Sequence, residues 1–291
     1  MSFLLVIIIA AAPIFIAVSC MQVWHWYRKR KPRRSPLTRA LLHSPGESLR
    51  RQVDDLTWDI SGLLALLMVL PLMFYAAYLS QASLFGFKAS ALYMAIAALT
   101  AFGFSLHQLI RLAGKRRRLR QGLDGELAVG QELTELLKDG MSVYHDIQAD
   151  QFNIDHVVVG PSGVFAVETK CHAKLWTGKG KTDAAVKVKG DALLFPGWTE
   201  TRWVDQARWR SRWLADWLTS TVGERVEVKP MLALPGWFID IEKSSDVLVI
   251  NPKNSRALMQ KIKGTPLTAE QVRRITHVLE QRCRDVEAQE V

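Results

Sequence analysis

Three apolar runs constrain what this chain can fold into more than any other feature of its sequence. They occupy 3–23, 60–79 and 89–110, and none of them contains Asp, Glu, Lys or Arg. A helix needs about 20 predominantly apolar residues to cross the hydrocarbon core of a bilayer. A buried helix of a soluble protein is usually shorter and is apolar on one side only. We therefore predict three transmembrane helices.

Basic residues beside these runs predict how the chain is oriented in the membrane. RKRKPRR at 28–34 follows the first run and RLAGKRRRLR at 111–120 follows the third, whereas the link between the second and third runs carries only Lys88. Because Lys and Arg in short loops favour the cytoplasmic side, we expect a bacterial-type inner-membrane protein with its N-terminus outside. A signal peptide is the alternative for 3–23, although no positive residue precedes that run.

The net charge of +10 is concentrated in the membrane-proximal part of the chain. Residues 1–120 hold 16 Lys and Arg against 4 Asp and Glu, and residues 121–291 hold 22 against 24. Orientation in the membrane and attraction to anionic lipid account for this excess, so it is not a sign of DNA binding. The predicted organisation is transmembrane helix 1 at 1–23, a basic cytoplasmic loop at 24–59, a transmembrane hairpin at 60–110, a basic juxtamembrane linker at 111–120 and a cytoplasmic domain at 121–291.

The pattern of the last 171 residues is typical of one mixed α/β domain. Thr268 followed by Gln271 three residues later predicts a capping box at the start of the final helix. Gly125 and Gly130 lower the propensity of the first helix by about 1 kcal/mol each, which indicates close backbone approach to the sheet. The predicted elements are helices at 123–139, 200–219 and 268–286, and strands at 142–147, 154–159, 164–170, 185–189, 192–195, 226–233 and 246–250.

The segment FNIDHVVVGPSGVFAVETK at 152–170 predicts a hairpin that carries charge. Two registers of the Gly-Pro-Ser-Gly turn are compatible with the sequence, and both place Asp155 directly opposite Glu168. Side chains alternate along a strand, so Lys170 shares the face of Glu168. Opposed residues of antiparallel strands have Cβ atoms about 4.5–5.5 Å apart. The three charged groups therefore converge on one patch of one sheet face.

Two carboxylates this close repel each other unless a cation lies between them. Mg²⁺ or Mn²⁺ would take carboxylate oxygens as ligands, and Lys170 would orient or deprotonate a water, which suits hydrolysis of a phosphodiester. A cross-strand salt bridge is the structural alternative. The apolar residues on both faces of the hairpin favour function, because charge is costly in a covered sheet.

Three stretches of the sequence resemble the nuclease-related domain, NERD, of the PD-(D/E)XK restriction-endonuclease-like superfamily. They are GLDGELAVGQEL, NIDHVVVGPSGVFAVETK and DQARWRSRWL, and together they cover about 122–215. The resemblance implies an α/β fold with a restriction-endonuclease-like mixed sheet flanked by helices, here preceded by the three transmembrane helices. It also implies cleavage or processing of nucleic acid.

The resemblance assigns roles to individual residues. It implies that Asp155 and Glu168 are metal ligands, that Lys170 is the catalytic lysine and that Glu126 assists at the metal. Gln206 matches the helical glutamine of the family. The residues themselves leave alternatives open: Glu126 could be a solvated acid favoured by the helix dipole, and Gln206 could make an ordinary hydrogen bond between helix and sheet.

A lysine-rich stretch after the hairpin is the candidate contact with a phosphate backbone, and a solvated loop is the alternative. His156 points away from Asp155 and is expected to make a structural hydrogen bond, whereas His145 and His172 are candidate rim residues. We expect a metal-dependent nuclease whose partners are nucleic acid and the lipid bilayer. The alternative function is a non-catalytic module that binds nucleic acid or protein at the membrane. The lysines concerned are Lys174, Lys179, Lys181, Lys187 and Lys189.

Overall fold

The structure is a computed structural model of the 291-residue chain. Residues 20, 23, 41–84, 91–174, 183–259, 262 and 264–284 are described. The chain divides into two compact units, which are treated separately: Met1–Arg39 with Asp55–Arg116, and Ala40–Asp54 with Arg117–Val291.

Two long helices contain the apolar runs that the structure describes. Helix α1 spans Glu47–Leu84 and helix α2 spans Ala91–Thr134. Both are long and apolar enough to cross a membrane, and large apolar side chains such as Met68 and Leu99 are exposed along them. The structure thus gives two candidate spans rather than the three predicted, because the run 3–23 lies outside the described residues apart from its last residue and Cys20.

Two segments that the sequence analysis assigned to a loop and a linker are helical. Helix α1 begins at Glu47, inside the predicted loop 24–59, and α2 continues through the predicted linker 111–120. Neither helical stretch contains proline, and Arg, Leu and Lys in 111–120 are good helix formers. A short 3₁₀ helix follows α2 and ends at Gly140, as predicted, with that residue in the left-handed conformation (φ 74°).

Most of the predicted strands are present, and they form two sheets. The central sheet has the order β1-β2-β3-β7-β9, with β1, β2 and β3 antiparallel and β3, β7 and β9 parallel. A smaller sheet has the order β6-β5-β4-β8, and its strands β6 and β8 were not predicted. The strands are β1 Ser142–Gln148, β2 Asn153–Gly160, β3 Gly163–Thr169, β4 Ala185–Lys189, β5 Ala192–Phe195, β6 Trp198–Glu200, β7 Val228–Ala233, β8 Phe238–Lys243 and β9 Leu248–Ile250.

The hairpin of β2 and β3 has the predicted register. His156 pairs with Val167 and Gly160 pairs with Gly163, so continuing the ladder by one residue sets Asp155 against Glu168. Every residue of β3 is buried. The charged residues at the open end of this hairpin are therefore built into the middle of the central sheet.

Helices cover both faces of the central sheet. Helix α3 (Arg202–Val222) and helix α5 (Ala269–Arg282) pack on the face that carries Val157 and Ala166, and the end of α2 packs on the face that carries Val158 and Phe165. A single-turn helix, α4, spans Ser255–Met259. The mixed α/β fold with flanking helices is confirmed. Thr268 and Gln271 form the predicted capping box of α5.

The segment Ala40–Asp54, which includes the first turns of α1, is part of the second unit, which the sequence did not predict. Asp146 is 1% exposed and adopts a left-handed backbone conformation (φ 50°) at an irregular point in the pairing of β1 with β2. Its carboxylate accepts hydrogen bonds from Ser48 N (2.8 Å), Ser48 Oγ (2.5 Å) and Asn153 Nδ2 (2.8 Å). A Cβ added at Gly130 would lie 2.5 Å from Pro45 Cγ. Gly130 thus allows a close approach to this segment rather than to the sheet. At Gly125 an added Cβ would lie 2.3 Å from Cys171 Cβ, just beyond the end of β3, so the predicted approach to the sheet holds there.

Removing the Asp146 carboxylate should loosen this segment. In Asp146→Ala, the half-buried backbone amide of Ser48 loses its acceptor and Asn153 Nδ2 loses one of its two acceptors, so we expect a loss of about 1–3 kcal/mol in the free energy of unfolding. We expect a lower thermal midpoint for the full chain in detergent, followed by tryptophan fluorescence. Asp150→Ala, at an exposed position four residues later, is the control, and equal midpoints for the two variants would contradict this account.

Candidate active site

A cavity of about 660 Å³ opens where α2, α3 and the hairpin meet the first turns of α1. It lies within the second unit. Five separate parts of the chain contribute to its lining, and many of the side chains are acidic, basic or imidazole groups. These are Arg118, Glu126, Asp146, Asp155, Glu168, Lys170, His172 and Arg210.

Asp155 and Glu168 form the floor of the cavity at the open end of the hairpin. Their residues are 8% and 3% exposed, so both carboxylates are almost removed from water. Asp155 Oδ2 accepts a hydrogen bond from the backbone N–H of Thr169 at 2.7 Å, which fixes one carboxylate against the neighbouring strand. The hairpin register predicted this juxtaposition, and the structure places both residues at the cavity.

Arg210, from helix α3, lies between the two carboxylates. Its Nη1 is 3.2 Å from Asp155 Oδ1 and also contacts Glu168 Oε2. The guanidinium carbon lies 5.6 Å from the centre of the Phe152 ring, within the range of a cation–π contact. Two facing carboxylates favour a cation at this point, but Arg210 was not predicted to supply it. The signal was its place within DQARWRSRWL, one helical turn after Gln206.

Lys170 supplies a second positive charge to the floor of the cavity. Its Nζ lies 2.8 Å from Glu168 Oε1, and its side chain is 23% exposed. The predicted shared face of Lys170 and Glu168 is therefore confirmed. Since Glu168 contacts both cations, it is the most strongly paired carboxylate described at the site.

Glu126 lies on α2 and is 9% exposed. Its pKa is raised to about 9, first by burial and then by the nearby carboxylates of Asp155, Asp146 and Glu168, against the opposing charge of Arg210. The pKa of Asp155 is raised to about 7 by burial and by Glu168, although Arg210 and the Thr169 amide lower it. The cavity therefore holds more carboxyl groups than its cations can keep ionised at neutral pH.

The oxygen donors of the site suit a hard divalent cation, but the side chains are not arranged with the geometry of a metal-coordination site. Glu126, Asp155 and Glu168 all offer carboxylate oxygens, which Mg²⁺ and Mn²⁺ prefer. Among the described residues, however, no three His, Cys, Asp or Glu side chains stand together in an arrangement ready to hold a metal. Arg210 contacts the two hairpin carboxylates where a shared cation would bind.

The remaining predicted residues take different places. Gln206 is half-buried on α3 and is not part of the cavity lining. His156 is buried and bonds to His145 (Nδ1 to Nδ1, 2.8 Å) and to Thr169 Oγ1 (3.2 Å), which confirms its structural role. His172 lines the cavity, whereas His145 does not.

The predicted phosphate-contact lysines are not cavity residues where they are described. Lys187 and Lys189 lie on β4 and pair with Glu242 at 2.8 and 2.9 Å. Lys174 lies over the ring of Trp237, with Nζ 5.9 Å from its centre. Lys179 and Lys181 lie outside the described residues.

One wall of the cavity was not predicted from the sequence. Ser48, Leu49 and Gln52, at the start of α1, line it together with Arg118 of α2. These residues belong to segments that were predicted to be loop and linker. The first 13 residues of α1, up to Asp59, include no apolar run of the kind that predicted the membrane helices. Their composition therefore did not indicate that they line the cavity.

Comparison with known families gives one result that bears on this cavity. The family model of the nuclease-related domain, NERD, matches residues 121–235, which include Glu126, the hairpin and Arg210. The resemblance noted at 122–215 is confirmed. The comparison with curated proteins found no match, and the comparison with solved structures found none either.

The raised pKa of Glu126 predicts that this carboxyl lowers stability at alkaline pH. A group whose pKa rises from 4.5 unfolded to about 9 folded loses stability as the pH increases through that interval, by about 1.4 kcal/mol for each pH unit. With a chelator present, Glu126→Gln should therefore unfold at a higher temperature than the wild type, by a margin that widens between pH 5 and pH 8. Asp124→Asn, at an exposed position, is the control, and a constant margin for Glu126→Gln would refute the assignment.

Proposed function

We propose that this protein, whose residues 121–235 are a nuclease-related domain, is a membrane-tethered and metal-dependent nuclease that hydrolyses phosphodiester bonds in DNA or RNA. The observation that carries the proposal is that the buried carboxyl groups of Glu126, Asp155 and Glu168 line one open cavity together with Lys170. Buried carboxylates crowded into a cleft with raised pKa values are typical of functional sites. The Asp and Glu-x-Lys pattern on one hairpin supports assignment to the PD-(D/E)XK superfamily.

Asp155 and Glu168 would hold a Mg²⁺ or Mn²⁺ ion, with Glu126 assisting. Such an ion supplies Lewis-acid stabilisation of the phosphoryl oxygens and lowers the pKa of a bound water. The raised pKa values of Glu126 and Asp155 support this role. A nearby metal ion would stabilise the ionised form of these carboxyl groups, which burial and neighbouring carboxylates now disfavour. Mn²⁺ should therefore bind more weakly as the pH falls and these carboxyls take up protons.

Lys170 has a distinct role in this proposal. Its ammonium group is held 2.8 Å from Glu168 Oε1 but keeps part of its surface toward the cavity. From that position it can donate a hydrogen bond to the attacking water or to a phosphoryl oxygen as negative charge develops. The contact with Glu168 fixes its direction, so that the charge is in place before substrate binds.

The membrane tether is also part of the proposal. Two helices, α1 and α2, are long and apolar enough to span a bilayer and expose their apolar side chains. The basic segments at 28–34 and 111–120 favour the cytoplasmic side for the domain and an external N-terminus. The run at 3–23 would add a third span, in a bacterial-type inner membrane.

One observation favours a second candidate function, that of a non-catalytic binding module. Arg210 already pairs with both hairpin carboxylates, so the charges are compensated without a metal. In that case the hairpin charges serve structure, and the cavity binds nucleic acid or protein at the membrane.

Cleavage assays on the full chain in detergent distinguish these functions. Labelled duplex DNA, single-stranded DNA and RNA are incubated with Mg²⁺, Mn²⁺ or a chelator. We expect metal-dependent cleavage that falls by at least about 100-fold in both Asp155→Asn and Lys170→Ala.

Two exposed positions provide matched controls for this assay. Asp150→Asn and Lys138→Ala should retain full activity. Full activity in Asp155→Asn would rule out the proposed metal site. Binding of nucleic acid without cleavage by the wild type, unaffected by metal or by Lys170→Ala, would establish the binding module instead.

A further inference from the structure

Arg210 is held at the two hairpin carboxylates through a single nitrogen. Its Nη1 lies 3.2 Å from Asp155 Oδ1 and contacts Glu168 Oε2 as well. Arginine pairs most strongly with a carboxylate through two parallel hydrogen bonds that use two nitrogens. These contacts do not have that geometry. The guanidinium is therefore held here by its charge more than by a matched fork.

A divalent cation and Arg210 would compete for the same oxygens. A metal ion shared by Asp155 and Glu168 must lie within bonding distance of one oxygen from each, and Arg210 Nη1 already contacts one oxygen of each. Both cannot occupy that position. A divalent ion brings twice the charge to a site whose carboxyl groups are crowded, so it should displace the guanidinium.

The cavity offers the displaced side chain a second place. Phe152 lines the cavity, and the guanidinium already lies over its ring, with Cζ 5.6 Å from the ring centre. A short rotation about the end of the side chain would keep the charge over the aromatic ring and move the nitrogens toward open space. A phosphodiester in that space would accept the two parallel hydrogen bonds that the carboxylates do not receive.

We propose that Arg210 is the counter-ion of the metal-free site and becomes a phosphate-binding residue when a divalent metal takes its place. This inference rests on the proposed function, since it requires a metal at Asp155 and Glu168 and a phosphodiester substrate. It makes Arg210 a residue that couples the two binding events. Metal binding frees the guanidinium, and the freed guanidinium helps to bind the nucleic acid.

The first test measures Mn²⁺ binding without any reaction. The free Mn²⁺ signal in electron paramagnetic resonance gives the Kd for the full chain in detergent at pH 7.5. In Arg210→Ala the competing charge is gone, so we expect Mn²⁺ to bind at least about tenfold more tightly than to the wild type. Arg212→Ala, at an exposed position on the same helix, should bind Mn²⁺ as the wild type does. Unchanged or weaker binding in Arg210→Ala would overturn the inference.

Thermal unfolding shows whether the variant folds and gives an independent reading of the same competition. Without metal, Arg210→Ala should unfold at a lower temperature than the wild type, because Asp155 loses the cation that it contacts and Glu168 keeps only Lys170. Saturating Mn²⁺ should raise its midpoint by more than it raises that of the wild type. Arg210→Gln keeps a polar side chain of similar length without the charge and should behave in the same way. If Mn²⁺ raised the unfolding midpoint of Arg210→Gln and of the wild type by the same amount, the proposal would be contradicted.

The second test addresses the phosphate. Fluorescence anisotropy with labelled DNA and Ca²⁺, used in place of Mg²⁺ so that DNA is bound without turnover, should show at least about tenfold weaker binding in Arg210→Ala than in Arg212→Ala. In Arg210→Ala, the slope of log affinity against log salt concentration should become shallower by the amount that corresponds to about one phosphate contact. Equal affinity and slope would remove the phosphate-binding role.

The outcomes separate this inference from the proposed function. If neither the wild type nor Arg210→Ala binds Mn²⁺, both the metal site and the inference fail. If both bind Mn²⁺ equally well and the wild type cleaves nucleic acid, the nuclease proposal stands and the role of Arg210 fails. If Arg210→Ala binds Mn²⁺ more tightly but no substrate is cleaved, the competition is established and the nuclease proposal fails.

Discussion

Two carboxylates on one covered face of a β-hairpin need a cation beside them, and the site is built around this requirement. The Gly-Pro-Ser-Gly turn fixes the register, and the register sets Asp155 against Glu168 within a buried sheet. Helix α3 must then pack where Arg210 can reach both groups, and Lys170 must extend from the end of the hairpin to Glu168. The polar site thus dictates how a helix packs on the sheet.

The apolar core holds the hairpin in place but does not reduce the crowding of its buried charges. Buried aliphatic residues pack on both faces of the central sheet, so the hairpin cannot shift to bring its charges into water. Glu126 adds a third carboxyl group whose ionised form burial and its neighbours disfavour. An arrangement that lowers stability in this way is expected where binding or catalysis requires preorganised charge. The distinction between a metal centre and an ion-paired module therefore depends on which cation the site prefers.

Local patterns predicted the parts of the fold that local interactions determine. Alternation and turn chemistry gave the hairpin and its facing charges, and Thr268 with Gln271 gave the cap of the last helix. Arg210 could not be assigned from the same reasoning, because its partner is 42 residues away and several arginines share its helix. The segment that carries Ser48 contacts Asp146 across 98 residues, which no spacing rule predicts. The long-range polar contacts that complete the cavity could be identified only from the three-dimensional structure.

The most direct test of this account is the position of Mn²⁺ in the folded protein. Crystals of the full chain grown with Mn²⁺ would be measured at an energy where manganese scatters anomalously. The account predicts a peak about 2.1 Å from oxygens of both Asp155 and Glu168, with Arg210 no longer between them. Arg210 still in contact with both carboxylates at saturating Mn²⁺, with no peak beside them, would contradict it.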